Sequence, residues 1–198
     1  MILHLENLSK SYDRLPVISH LSMTLEQGQL YCLMGPSGSG KTTLFRMILG
    51  LEEPDEGIIH LVEQPGKPAG KYQMAAVFQE NRLCEPFSPI ENVMLATGNT
   101  LTAAQVRSEL ARLLPEEALT RPVSTFSGGM KRRTAIVRAL LAPSQILVMD
   151  EPFTGLDEAL KGQVIQYILE KTEDKLVLIS THQEEDVTLL GGKLIYFT

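Results

Sequence analysis

The sequence predicts an α/β protein with a mostly parallel sheet core, an antiparallel β region at the N-terminus and an inserted helical lobe. Three observations carry this reading. The uninterrupted apolar runs Leu30-Tyr31-Cys32-Leu33-Met34, Ile146-Leu147-Val148-Met149 and Leu176-Val177-Leu178-Ile179 have the character of strands buried on both faces. Helical patterns alternate with these runs, and that alternation favours a parallel sheet covered by helices. Between residues 80 and 126 the strand signals stop and helical patterns remain.

The elements follow in order. Residues 2–5 read as a strand, and residues 21–25 alternate apolar and polar side chains. Glu26-Gln27-Gly28 is a turn. From Lys41 the spacing is helical: Leu44, Phe45, Ile48 and Leu49 share a face, and Gly50 is the stop. Glu53-Pro54-Asp55-Glu56-Gly57 is a turn, residues 58–62 a strand, Gln64-Pro65-Gly66-Lys67-Pro68 a loop and residues 74–78 a strand. Ser88-Pro89-Ile90-Glu91-Asn92 opens one lobe helix. Residues 102–114 form a second, with Val106, Leu110, Leu113 and Leu114 on one side. Helices are expected over 129–141 and 158–170. The chain reads as one domain, residues 1–198, with 1–79 and 127–198 as the core and 80–126 as the helical subdomain.

Composition narrows the function classes. Of 198 residues 43% are hydrophobic and 21% charged, which is enough for a globular core without disulfides. A net charge of −6 argues against a dominant nucleic-acid surface, so no nucleic-acid partner is expected. Cys32 and Cys84 form no CxxC pair and read as a buried strand thiol and a loop thiol, which suits a reducing compartment. Met1-Ile2-Leu3-His4-Leu5-Glu6-Asn7 lacks the pattern of a signal peptide. No uncharged apolar stretch approaches the roughly 18 residues that span a bilayer. Service to a membrane process is therefore expected from the cytoplasmic side, through a partner.

The chemistry concentrates in two places. Gly35-Pro36-Ser37-Gly38-Ser39-Gly40-Lys41-Thr42 fits GxxxxGK[ST], directly after an apolar strand and before a helix. Four specified positions match by chance in roughly one chain in a hundred, so the flanking strand and helix decide the matter. Gly35, Gly38 and Gly40 let the backbone turn its N–H groups inward, and the helix adds the positive end of its dipole. Lys41 supplies a point charge for β- and γ-phosphates, and Thr42 a hydroxyl for Mg²⁺. The second place is Asp150-Glu151, at the end of an apolar strand. Ligands sit beyond the carboxyl ends of parallel strands, so Asp150 should reach the same edge and serve Mg²⁺. Glu151 can then take a proton from an attacking water. The expected ligand is ATP with Mg²⁺, held by residues 35–42 together with Thr43.

With these residues in place, the chain resembles the ATP-binding subunit of an ABC transporter along essentially its whole length. Phe126-Ser127-Gly128-Gly129-Met130 is similar to the family signature LSGGQ. Gln79 matches the glutamine of the Q-loop, Thr154-Gly155-Leu156-Asp157 the D-loop, His182 the switch histidine, and Tyr12 the aromatic that stacks on adenine. The resemblance implies catalytic roles for Glu151, His182 and Gln79, metal contacts from Thr42, Gln79 and Asp150, and nucleotide contacts from Tyr12, Ser127, Gly128, Gly129 and Asp157. It also implies a head-to-tail dimer with two ATP between the subunits, a transmembrane permease as partner and, for an importer, an extracytoplasmic solute-binding protein. Ser127-Gly128-Gly129 before a helix is an anion site in its own right. Met130 departs from the signature's glutamine and removes a polar side chain at the expected dimer seam.

The resemblance is strongest to importer ATPases of the nitrate, sulfonate and taurine group, while Ser127-Gly128-Gly129-Met130-Lys131-Arg132-Arg133 is also similar to that of some exporters. The tail after His182 reads as too short for a regulatory domain. His4, His20 and His60 read as structural or surface residues, and Lys131-Arg132-Arg133 as a solvated helix face. Three other readings compete: a soluble ABC ATPase acting on nucleic acid, a nucleotide kinase, and a non-hydrolysing regulatory cassette. The kinase leaves residues 126–130 and His182 unexplained. The regulatory cassette does not suit an intact Lys41, Asp150, Glu151 and His182.

Overall fold

The computed structural model describes residues 1–64, 67–68, 72–98 and 100–197. An antiparallel sheet holds β1 (Ile2–Tyr12), β2 (Leu15–Glu26), β4 (Glu56–Gln64) and β5 (Lys67–Pro68) in the order β2-β1-β4-β5. β1 and β2 run well past the segments read from alternation. Their register shifts between Leu5 and Leu8 and again between Leu8 and Lys10, with Asn7 at φ 51° and His20 at φ 50°. Each bulge flips the inward face, so a strict period of two cannot be followed across it. Of the loop expected at residues 64–68, Gln64 closes β4 and Lys67–Pro68 pair with it as β5. Pro65 and Gly66 lie outside the described residues.

The second sheet is parallel throughout. It holds β3 (Leu30–Met34), β6 (Met74–Val77), β7 (Ile146–Asp150), β8 (Leu176–Ser180) and β9 (Lys193–Tyr196) in the order β6-β7-β8-β3-β9. Alternate residues of its strands feed two cores. Cys32, Leu147, Met149, Val177 and Ile179 face one, with Val93, Val106, Ile136 and Ile168 from helices. Leu33, Ile146, Val148, Leu176 and Leu178 face the other, with Leu44, Phe45 and Ile48 and, from the antiparallel sheet, Leu3, Leu5 and Leu8. Both faces are covered, which explains why β7 and β8 read as unbroken apolar runs. Cys32 is buried and Cys84 exposed, and burial pushes the Cys32 thiol up to about 12.

The helices are α1 (Lys41–Ile48), α2 (Pro89–Thr97), α3 (Ala103–Leu110), α4 (Gly128–Leu141), α5 (Glu158–Lys171) and α6 (Glu184–Leu190). Gly50, at φ 66°, ends α1: its N–H reaches the Met47 carbonyl and that of Leu51 the Arg46 carbonyl, the double bond of a left-handed helix stop. Ser88 with Glu91 and Thr102 with Gln105 form capping boxes that start α2 and α3. α3 ends four residues before the expected Leu114. The chain continues there in turns that still bury Leu113 and Leu114. α6 and β9 went unread because both are short and neither shows a clear periodic stripe. Among the described residues no helix is long and apolar enough to cross a membrane.

Candidate functional site

β3 delivers the chain to the loop at residues 35–40, and α1 begins at Lys41. Gly38 and Gly40 sit at φ 82° and 96°, a region that side chains disfavour. A Cβ on Gly35 would lie 2.0 Å from the carbonyl oxygen of Phe197, so only glycine lets the loop leave β3 there. Lys41 is buried, and its ammonium donates to the carbonyls of Gly35 at 2.8 Å and Pro36 at 2.9 Å. The loop thus closes around a cation whose hydrogen-bond partners, among the described residues, are neutral loop atoms. A desolvated cation so placed favours an incoming anion. Ser39 lies inside the curl, its N–H bonded to the Pro36 carbonyl. Tyr12, Ser37, Thr43, Gln79 and Glu151 border the adjoining cleft of about 390 Å³.

The two sheet-edge acids differ sharply. Asp150 is buried; one oxygen accepts from the Thr42 hydroxyl at 2.7 Å and the other from the Ser180 hydroxyl at 2.6 Å. The Ser180 hydroxyl in turn accepts the N–H of Glu151 at 2.9 Å. Ser180 was missed by sequence reasoning, although it sits two residues before His182 at the end of an apolar run. Glu151 holds φ 49°, a left-handed backbone that costs a non-glycine residue on the order of 1–3 kcal/mol. That turn presents its carboxylate to His182, with Oε1 2.5 Å from Nε2.

Gln79 follows β6 and reaches the same cleft. Its backbone is set from α4, because Arg132 donates to the carbonyls of Phe78, at 2.6 Å, and Gln79. Arg138 donates to those of Arg82 at 2.7 Å and Asn81 at 3.1 Å. This corrects the solvated reading of Lys131-Arg132-Arg133: Arg132 and Arg133 are buried, and Lys131 alone pairs at the surface, with Glu85 at 2.9 Å. Burial pulls the Arg132 pKa below its ordinary value, with the negative charges of Asp150 and Glu151 acting against it. Nothing in the charge pattern distinguishes buried from solvated arginines; the carbonyls they hold come from a distant segment.

Tyr12 stands at the cleft rim, its hydroxyl bonded to Glu52 and its ring 5.7 Å from the Lys10 ammonium. Ser127, Gly128 and Gly129 lie apart from the cleft, at the start of α4. Ser127 is the helix cap, its hydroxyl accepting the Met130 N–H at 3.3 Å, and Ser127 and Gly128 are exposed. Gly129 packs beside Gly155 and Leu156. Met130 is half-buried and packs against the core. Asp157 caps α5 by accepting the Leu160 N–H at 2.9 Å. His4 and His60 stack at 5.1 Å on the antiparallel sheet, away from these residues.

A family model described as ABC transporter matches residues 18–154. The spermidine/putrescine import ATP-binding protein PotA of Legionella pneumophila is 32% identical, over 99% of this chain and 56% of the relative. Nod factor export ATP-binding protein I of Ralstonia nicotianae is 34% identical, over 98% of this chain and 63% of the relative. The chain therefore spans less than two thirds of the length of either protein. Among solved structures, the dimeric cassette MJ0796 bound to ADP and Pi superposes with a TM-score of 0.84 at 23% identity, over 99% of this chain and 94% of that one. A second dimeric structure of MJ0796, a bacterial ABC transporter cassette, gives 0.81 at 24%. These two likenesses are of fold.

Proposed function

The chain belongs to the ABC transporter family, and from that premise we propose that it binds ATP with Mg²⁺ and hydrolyses it as the motor subunit of a transporter. The observation that carries the proposal is the meeting of three arrangements at one sheet edge: Lys41 within its loop, Thr42 on Asp150, and Glu151 on His182. Loop N–H groups and the α1 N-terminus hold the triphosphate, and Lys41 turns from the Gly35 and Pro36 carbonyls to phosphate oxygens. Tyr12 offers its ring to the base. Thr42 Oγ1 and Asp150 Oδ2 are hard oxygen donors side by side, a set that suits Mg²⁺. Gln79 offers a further amide oxygen. When bound, Mg²⁺ would offset charge on the β- and γ-phosphates. Glu151 takes the proton of the attacking water, and His182 holds that carboxylate and faces the γ-phosphate.

Ser127, Gly128 and Gly129 lie outside this cleft, with Ser127 and Gly128 exposed, which supports a head-to-tail dimer in which they meet the ATP of a second subunit, with Asp157 beside the seam. We place the dimer at the cytoplasmic face of the membrane, bound to permease subunits. The surface around Gln79 and residues 80–93, with Phe87 exposed, is the docking face. Small-solute import, with an extracytoplasmic solute-binding protein, is the direction we favour. One relative is named for import and the other for export, and neither is of the nitrate, sulfonate and taurine group. Neighbouring genes for a permease and a solute-binding protein would support import; an exporter-type permease alone would reverse it. Sedimentation of Glu151→Gln with and without Mg-ATP tests the motor: a chain that stays monomeric with ATP bound ends the dimer model. A soluble ATPase acting on nucleic acid would instead show salt-dependent retention in a filter-binding assay.

A further inference from the structure

Behind the Glu151–His182 contact lies a separate cavity of about 280 Å³, bounded by the loop before α5 and by the segment Thr181-His182-Gln183. Its wall contains a buried ion pair with no role in the chemistry above. Lys161, in the second turn of α5, is 3% exposed; Asp186, in α6, is 2% exposed; the ammonium stands 3.1 Å from Asp186 Oδ1. Burial works against the Lys161 charge, yet the carboxylates of Asp186 and Glu158 beside it prevail and hold its pKa above the ordinary value.

The connections of this pair single out His182. The Lys161 ammonium also donates to the Gln183 side chain at 2.9 Å. The second oxygen of Asp186 accepts from the Thr181 hydroxyl at 2.5 Å, and that hydroxyl accepts the Gln183 N–H at 3.2 Å. Both chain neighbours of His182 are thus tied to one ion pair, while the imidazole itself is 40% exposed and, among the described residues, has Glu151 as its hydrogen-bond partner. At the other end, the Lys161 N–H donates to the Asp157 carbonyl at 2.8 Å, one helical turn back, where Asp157 caps α5. A buried ion pair is seldom worth more to stability than an apolar pair of equal volume, so its value lies in the geometry it fixes.

We propose that Lys161 and Asp186 are positioning residues that set His182 against Glu151 and tie that contact to the loop ending at Asp157. The catalytic part rests on the hydrolytic reading above. Movement of that loop, as when a second subunit docks on it, would pass through α5 and the ion pair to the backbone on either side of His182.

The test is the double variant Lys161→Met/Asp186→Leu, which leaves no unpaired buried charge, read in two ways. In the intact chain labelled with ¹⁵N-histidine, the His182 ring resonances should move toward those of Glu151→Gln, while those of His4, His20 and His60 stay put. In steady-state hydrolysis kcat should fall roughly 10- to 100-fold, since misplacing a reacting group by about 1 Å can cost 10²-fold, with KM for ATP unchanged. In a His182→Ala background the double variant should cost nothing further. Unmoved His182 resonances overturn the proposal, as does a loss of kcat that persists undiminished without His182. If the unaltered chain hydrolyses no ATP, the motor reading fails, and the resonances still decide the positioning claim. If the double variant does not fold, Thr181→Val cuts the same chain of contacts with the ion pair intact. The His182 signals must then move, and their constancy would refute the idea.

Discussion

The chain carries two glycine-rich helix starts suited to anions, and they are built to different standards. The first, at residues 35–42, curls around a buried lysine and stands beside Thr42, Asp150, Glu151 and Gln79. The second, at Ser127-Gly128-Gly129, offers a capping hydroxyl and backbone N–H groups in the open, with no lysine among its three residues. A helix N-terminus alone attracts an anion weakly at an exposed surface. On the proposed reading the first site holds a triphosphate by itself, and the second finishes a site that another surface supplies.

Four measurements would break or sharpen that contrast. Glu151→Gln should lower turnover by about 10²–10⁴-fold with ATP affinity intact, since it removes a general base and leaves the loop alone. Phosphate release and nucleotide titration check the two halves, and unchanged turnover removes Glu151 from its role. Lys41→Ala should weaken ATP binding by about 10- to 150-fold, the range for losing charged hydrogen bonds worth about 1.5–3 kcal/mol. Equal affinity by titration calorimetry would mean that the first site is no better built than the second.

Ser127→Ala should leave the affinity of a single chain for ATP unchanged and cost about 1 kcal/mol of stability through the lost cap. For a chain of this size that is a Tm lower by about 2–4 °C in a thermal melt. The smallest effect concerns acid. Glu109 on α3 bonds to Lys171 and Tyr167 on α5, fastening the lobe that leads into Ser127. Burial alone would raise its pKa, but those bonds and the Lys171 charge hold it below the usual 4.5. Its contribution is therefore complete above the unfolded-state value and lost as the pH falls through the lower folded one. Amide exchange in α3 should quicken in that window relative to α1; equal response in both helices would show that the lobe is not separately fastened.

The placement of the glycine-rich loop between β3 and α1, and of Asp150 and Glu151 at the end of β7, was readable because each group is a short contiguous stretch that follows an apolar run. Lys41 after three glycines and two acids ending an apolar strand carry their meaning in sequence. What could not be read depends on distant partners. The buried state of Arg132 and Arg133 is decided by carbonyls at Phe78, Gln79 and Leu113, and the Lys161–Asp186 pair by the approach of α5 to α6. The left-handed turn at Glu151 has no glycine to announce it. The length of β1 and β2 was hidden by bulges, and the packing of Met130 against the core has no signal in the sequence.

The pressure of Phe197 on Gly35 has a consequence for the order of assembly. β3 is flanked by β8 and β9, and the Leu33 and Met34 carbonyls are taken by the N–H groups of Thr181 and Phe197. The loop at residues 35–40 is thus braced by strands that are made well after it. Pairings between such remote segments form late, after long stretches of chain have closed. A nascent chain that has not yet reached Lys193 holds the whole motif and only an unfinished mould for it. If the chain binds ATP as proposed, that binding reports that the parallel sheet has closed, and nucleotide acts as a late folding ligand.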